Sequence, residues 1–177
     1  MRKTIHILLC LCCVWACSKI PEEAETQQET DFPDQESWNS EIVLTKEGRK
    51  NAIIVAGHLL RYQDRSEIFM DDTVCVDFYN AEQSHLSHLI SLSAEVNEQT
   101  NDLVARGNVS VESDSGVTLY TEEIRWNHKE EKIVSEVEIM LVTDQDTLTG
   151  IGFESDSNLE NWLIRQPSGV TDRELED

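Results

Sequence analysis

From residue 66 onward, apolar side chains recur at every second position in short runs. Val74, Val76 and Phe78 alternate with Cys75, Asp77 and Tyr79, and Ile90, Leu92, Ala94 and Val96 alternate with Ser91, Ser93 and Glu95. Val109 and Val111 flank Ser110, Val117 and Leu119 flank Thr118, and Ile124 and Trp126 flank Arg125. Val137, Ile139 and Leu141 flank Glu138 and Met140. Successive side chains of a strand point to opposite faces, so this period puts one apolar face on each strand. Polar turn material bounds the runs: YNAEQSH, NEQTND, ESDSG, NHKEEK, TDQD and ESDSNLEN. Short strands at this spacing predict an all-β domain of antiparallel strands. Residues 47–61 are less decided. Ile53, Ile54 and Leu60 give a mediocre helical period there, and a strand over 52–60 fits as well or better.

Residues 102–111, DLVARGNVSV, interrupt an apolar run with Arg-Gly-Asn before alternation resumes. Such a break in a strand predicts a kink or bulge at Gly107, because glycine tolerates positive φ. A weak repeat follows, since SLSAEVNEQTNDLVARGNVSVESDSGVTL aligns with LYTEEIRWNHKEEKIVSEVEIMLVTDQDTL. Leu119 answers to Leu148 at a period of about 29 residues. A third copy begins at Gly150 with GIGFESDSNLENWLIR. A hairpin cannot bury its apolar face alone, so stacked copies must share one interior.

The first residues belong to a different regime. Arg2 and Lys3 precede the apolar residues 5–14, a stretch of signal-peptide length and too short to span a bilayer. VWAC then resembles a bacterial lipobox, which implies cleavage after Ala16, lipidation of Cys17 and a membrane anchor. Of five cysteines, this leaves Cys75 outside the leader and anchor, and a single cysteine makes no internal disulfide. Its apolar setting, VCVDFY, reads as a strand thiol and not a nucleophile. The net charge of −21 makes nucleic acid a poor partner. The chain therefore divides into a leader (1–16), a lipidated acidic tether (17–40), a β-domain (41–169) and an acidic tail (170–177).

LVARGNVSV, LYTEEIRWN and LTGIGFESDSNLENW, in this order, resemble the LptC family of periplasmic lipopolysaccharide export proteins, with DTVCVDF fitting its early strands. The resemblance covers residues 63–169. It implies an open, twisted β-jellyroll of two facing antiparallel sheets whose apolar interior receives lipopolysaccharide acyl chains. It also implies docking by one edge on the LptF–LptG transporter and by the other on an LptA-like bridge protein, at the periplasmic face of the inner membrane. Two features depart from the family pattern. Many members are held by a transmembrane helix where this chain carries Cys17, and the acidic tether is extra. Two sheets about 10 Å apart suit acyl chains sterically. Strand parity then assigns the lipid groove to Val74, Val76, Phe78, Ile90, Leu92, Val96, Leu103, Val109, Val111, Leu119, Ile124, Ile139 and Phe153. Gly150 and Gly152 are assigned to the C-terminal partner edge.

Little else in the sequence carries chemistry. His85 and His88 should point to opposite faces of a strand and so not share a metal. The many paired carboxylates fall mostly at turns. Asp156, Ser157 and Asn158 begin like a calcium loop without its glycine or closing acid. No nucleotide-binding, hydrolase or zinc motif is present, so the expectation is a transit protein without catalysis, cofactor or metal. Two rivals stand beside it. A soluble LptA-like carrier would have no use for Cys17. A lipid-anchored β-sandwich for adhesion or glycan binding predicts a closed core and exposed aromatic clusters.

Overall fold

In the computed structural model, residues 32–168 are described. The leader, Cys17, the tether up to residue 31 and the acidic tail lie outside the described residues. The alternating runs become ten strands: β1 (Gln35–Lys46), β2 (Arg49–Tyr62), β3 (Glu67–Tyr79), β4 (His85–Ser91), β5 (Ser93–Asn97), β6 (Leu103–Ser113), β7 (Thr118–Asn127), β8 (Lys132–Val142), β9 (Thr147–Asp156) and β10 (Leu163–Ser168). All pairs are antiparallel, in the order β1-β2-β3-β4-β6-β7-β8-β9-β10, with β5 continuing the line of β4 between β3 and β6. The fold is all-β, as a β-jellyroll of the LptC type requires. Residues 47–61, undecided between helix and strand, lie almost wholly in β2.

A line of irregularities crosses the sheet from β1 to β9, passing between β4 and β5. It runs through Asn39, Gly57, Asp72 and Thr73, Leu92, Gly107 and Asn108, Glu122 and Glu123, Glu136 and Val137, and Gly152. Register shifts mark it at Ala56/His58, Arg106/Val109, Thr121/Arg125 and Ser135/Glu138. Positive φ marks it at Asn39, Asp72, Thr73, Gly107, Asn108 and Gly152. Bulges bend strands and sharpen their twist. A row of them therefore creases the whole sheet into two walls that share the same strands. At Gly107 the backbone takes φ +80, and the kink expected from ARGNV is the crease itself. Each copy of the weak repeat spans about two strands, β5 and β6 in the first and β7 and β8 in the second.

Contacts between strands far apart in the sheet show that it folds onto itself. In a flat sheet β3 and β7, three ladders apart, would stand about 14 Å apart at about 4.8 Å per step. Phe78 and Trp126 nevertheless meet with ring centroids 5.0 Å apart. Ser87 of β4 donates to the carbonyl of Ser157 at 2.5 Å, and Lys46 of β1 pairs with Glu131 beyond β7 at 2.9 Å. One apolar core fills the space between the walls.

One sequence boundary changes. β1 begins at Gln35, inside the stretch assigned to the tether. Its residues are mostly exposed, so the segment QESWNS carries no apolar alternation to announce a strand.

Candidate functional site

The interior between the walls is the candidate site. Val74, Val76, Phe78, Val96, Leu103, Val109, Val111, Leu119, Ile124, Ile139 and Phe153 all face it with at most 1% exposure. They come from both walls and from strands β3 to β9. Ala52, Ile54, Leu89, Trp126, Ile133 and Leu141 join them, none of which the strand parity had assigned to the lining.

Two assigned lining residues do not face the interior. Ile90 is 40% and Leu92 56% exposed, while Ser87, Leu89 and Ser91 are buried. Leu92 is the residue between β4 and β5, where the crease passes. Its N–H donates to the Gly107 carbonyl at 3.0 Å and its side chain lies over Gly107 on the outside. That single residue shifts the parity, so Ala94 and Val96 point inward after it and Leu89 before it. Continuing the Ala94–Val96 period backward through the break placed Ile90 and Leu92 on the wrong face. The loudness of HLI in the sequence hid Leu89, whose neighbours two away are serines.

Gly150 and Gly152 are likewise not at the edge. Both lie in β9, and β10 covers that strand. A Cβ on Gly150 would stand 2.4 Å from Ile164 Cγ2 and 2.6 Å from the Gln166 carbonyl oxygen, so its bareness lets β10 dock. The free edges of the described sheet are β1 and β10.

The interior closes at one end and thins at the other. Residues 157–159, after β9, fold over the gap. Ser87 Oγ donates to the Ser157 carbonyl, Ser113 Oγ to the Asn158 carbonyl, Trp126 Nε1 to Ser157 Oγ at 3.3 Å, and Ser157 Oγ to the Glu131 carbonyl at 3.1 Å. These bonds seat Leu159 with no exposure and a left-handed backbone, φ 55. A leucine holds that conformation at a cost of about 1–2 kcal/mol, which its burial offsets. Toward β1, the core residues Leu44, Leu59 and Ile68 are 5–8% exposed. There Ile42, Leu59 and Ile68 reach a notch of about 440 Å³, rimmed by Arg61 and Glu98.

The polar groups outside the core do not assemble a reactive centre. His85 Nε2 and His88 Nδ1 approach the same Asp77 oxygen at 3.3 and 2.6 Å, and His85 Nδ1 meets Asp114 at 2.9 Å. The expectation that the two histidines part to opposite faces fails, because a register shift at Phe78/Tyr79 turns His85 back toward Asp77. Burial works to raise the Asp77 carboxyl, but hydrogen bonds from His88 and His85 outweigh it and hold the carboxyl low. Among the described residues, no three His, Cys, Asp or Glu side chains are arranged to hold a metal ion. Burial, and then Asp77, push the Cys75 thiol up, so it stays protonated and weakly nucleophilic. His128, packed edge-on to Trp126 at 5.2 Å, is held neutral chiefly by burial.

The chain matches one protein-family model, described as "Lipopolysaccharide-assembly, LptC-related", over residues 4–165. No curated protein matches it significantly.

Proposed function

This chain belongs to the LptC-related lipopolysaccharide-assembly family and so has its role in lipopolysaccharide transport; from that premise we propose that acyl chains travel in the interior between its two walls. The observation that carries this reading is the apolar lining, which runs unbroken through both walls from β2 to β9. Acyl chains gain about 25 cal/mol per Å² of surface removed from water, and this lining offers them no polar side chain larger than serine or threonine along its middle strands.

The lining side chains fill the interior when no cargo is bound. Entry therefore parts the walls, and the thinly covered notch beside Ile42, Leu59 and Ile68 is the proposed way in. The sugar and phosphates of the lipid stay in water outside the walls. The free edges at β1 and β10 suit strand addition, by which the LptF–LptG domains would dock on one side and an LptA-like protein on the other. Lipidation at Cys17 would hold the domain at the periplasmic face of the inner membrane. The protein itself performs no chemistry in this scheme, and ATP hydrolysis by its partners sets the direction of flow.

The test is photo-crosslinking in cells that make lipopolysaccharide, with a photoreactive residue at Leu89 facing in or at Ile90 facing out. A lipopolysaccharide adduct at Leu89 alone is the expected result. Equal adducts at both sites, or none from folded protein, would overturn the reading. Of the two late aromatics the adhesion alternative called on, Trp126 is buried in the core and Trp162 is half-buried against it, although the filled core is what that alternative also predicts.

A further inference from the structure

The outer face of the wall formed by residues 40–56, 74–91, 109–121 and 138–151 carries a feature that acyl-chain transport does not use. Val55, Cys75, Ile90, Ser110, Tyr120 and Met140 are direct cross-strand partners in one unbroken row. Val55, Ile90, Tyr120 and Met140 are each 40–43% exposed. Part of the row lies in a trough of about 610 Å³, which Asn108, Glu122 and Glu138 also line. An apolar row on the solvent face of an antiparallel sheet runs against the ordinary polar-out pattern.

Carboxylates lie on both sides of the row, and one of them, Asp77, is bonded by His85 and His88. Asp77 and Glu112 flank it toward the strand ends, and Glu122 and Glu138 flank it toward the crease. The strand segments VCVDFY, HLSHLIS, VSVES, TLYTE and EIMLV carry no lysine or arginine; the cations of this wall stand at its β1–β2 corner, where Lys46 pairs with Glu131, Arg49 with Glu47, and Lys50 lies over the Tyr79 ring. The nearest arginines across the crease, Arg106 and Arg125, are held by Glu123, with Glu95 also on Arg106. A second copy of this face would set carboxylates against carboxylates. An anionic lipid surface would be repelled in the same way.

We propose that this row is the docking site for a basic amphipathic helix of a partner protein. Five inter-strand steps of about 4.8 Å make the row about 24 Å long, which is the length of about 16 helical residues at 1.5 Å each. A helix with a narrow apolar stripe and cations on both sides of it matches an apolar row with carboxylates on both sides. An extended segment would turn half of its side chains away from the sheet.

The probe is a labelled helical peptide of about 16 leucines and lysines, with leucine at i, i+3, i+4 and i+7, titrated into the purified full-length protein by fluorescence anisotropy. A scrambled peptide of the same composition is the control. The amphipathic peptide should bind at least tenfold more tightly than the scrambled one. Ile90→Ser with Met140→Ser, both at exposed positions, should weaken it about tenfold, equivalent to about 1.4 kcal/mol. Glu112→Gln with Glu122→Gln and Glu138→Gln should weaken it and flatten its salt dependence, and it preserves the apolar row if the serine variant folds poorly. Equal binding of the two peptides, or no effect of either variant, would reduce the row to surface charge and overturn the proposal. So would an Ile90-dependent dimer in sedimentation velocity, or flotation with neutral phosphatidylcholine vesicles that the serine variant abolishes.

Discussion

Replacing Leu159 by alanine should loosen the end of the interior without unfolding the domain. Leu159 is fully buried and reaches the core from a turn, held there by the bonds from Ser87, Ser113 and Trp126. Alanine removes three buried carbons, about 2.4 kcal/mol at about 0.8 per methylene. Buried leucine-to-alanine changes cost about 2–5 kcal/mol in all, and a turn collapses more readily than a strand, so about 3 kcal/mol is expected here. Alanine pays the same backbone cost as leucine at φ 55, so that term cancels. If residues 157–159 must lift for an acyl chain to pass, 3 kcal/mol raises the lifted population about 100-fold. Stopped-flow uptake of a fluorescent fatty acid by the full-length protein should speed up accordingly, by up to that factor. Leu141→Ala, equally buried but on a central strand, should lower the urea midpoint by a similar amount with little gain in rate. A Leu159→Ala protein with a lowered midpoint and unchanged uptake would refute the reasoning. The turn would then be only a lid on a core.

Gly150→Ala should detach β10, because the new Cβ meets Ile164 and the Gln166 backbone. Overpacking of this kind costs about 1–3 kcal/mol, and hydrogen exchange should rise over β10 while β6 and β7 stay protected. His58 is raised from its ordinary value by the hydrogen bonds it donates to Glu36 and Asp71. A raised folded value means that its contribution is complete below about pH 6.5 and fades as pH rises through the folded value. The urea midpoint of the wild type should therefore fall on moving from pH 6 to pH 8, and His58→Gln should reduce that slope; an identical slope would remove His58 from the account. Asp77 is depressed, so its contribution is present above about pH 3.9 and disappears as pH falls through its lower folded value. Asp77→Asn should be destabilising at pH 6 and lose that effect near pH 2. Cys17→Ala should release the protein from the membrane fraction to the soluble periplasm; unchanged retention would mean that something other than an acyl anchor holds it.

The strand faces could be read from the sequence wherever a run crosses no break. Val74, Val76 and Phe78 alternate cleanly, and Val109 and Val111 lie wholly on one side of Gly107. The reading failed at Leu92, because one unpaired residue between β4 and β5 reverses the parity and nothing in ISLSAEV marks where the count slips. It also failed where both faces of a strand are apolar. Ile90 belongs to the outer row and Leu89 to the core, and hydrophobicity alone cannot rank them. β1 was hidden because an edge strand with exposed residues needs no apolar pattern. Leu159 was hidden because a single leucine in a polar turn looks like a turn residue until Ser87 and Ser113, far away in sequence, are seen to hold that turn down.

The closed interior bears on how such a domain would carry cargo. Its walls are parts of the same strands, so parting them does not require breaking ladder hydrogen bonds; it requires bending at the crease. The crease is already where the ladder is interrupted, at Gly57, Gly107 and Gly152 among others. What resists opening is the set of contacts across the gap. The core pair Phe78–Trp126 lies in the middle; Lys46 of β1 and Asn51 of β2 bond Glu131, and residues 157–159 are seated on Ser87 of β4 and Ser113 of β6, so the ties run along the strand ends from β1 to β6. The notch beside Ile42, Leu59 and Ile68 is rimmed by the Arg61–Glu98 ion pair at 2.8 Å, which joins β2 to the turn after β5 along one wall. In the proposed scheme a chain entering between the walls would replace wall-to-wall apolar contacts with its own, and the ties at the strand ends would have to give. Among those ties the seat of residues 157–159 alone also buries a core side chain, and Leu159→Ala would therefore lower the cost of loading if the proposed transport scheme holds.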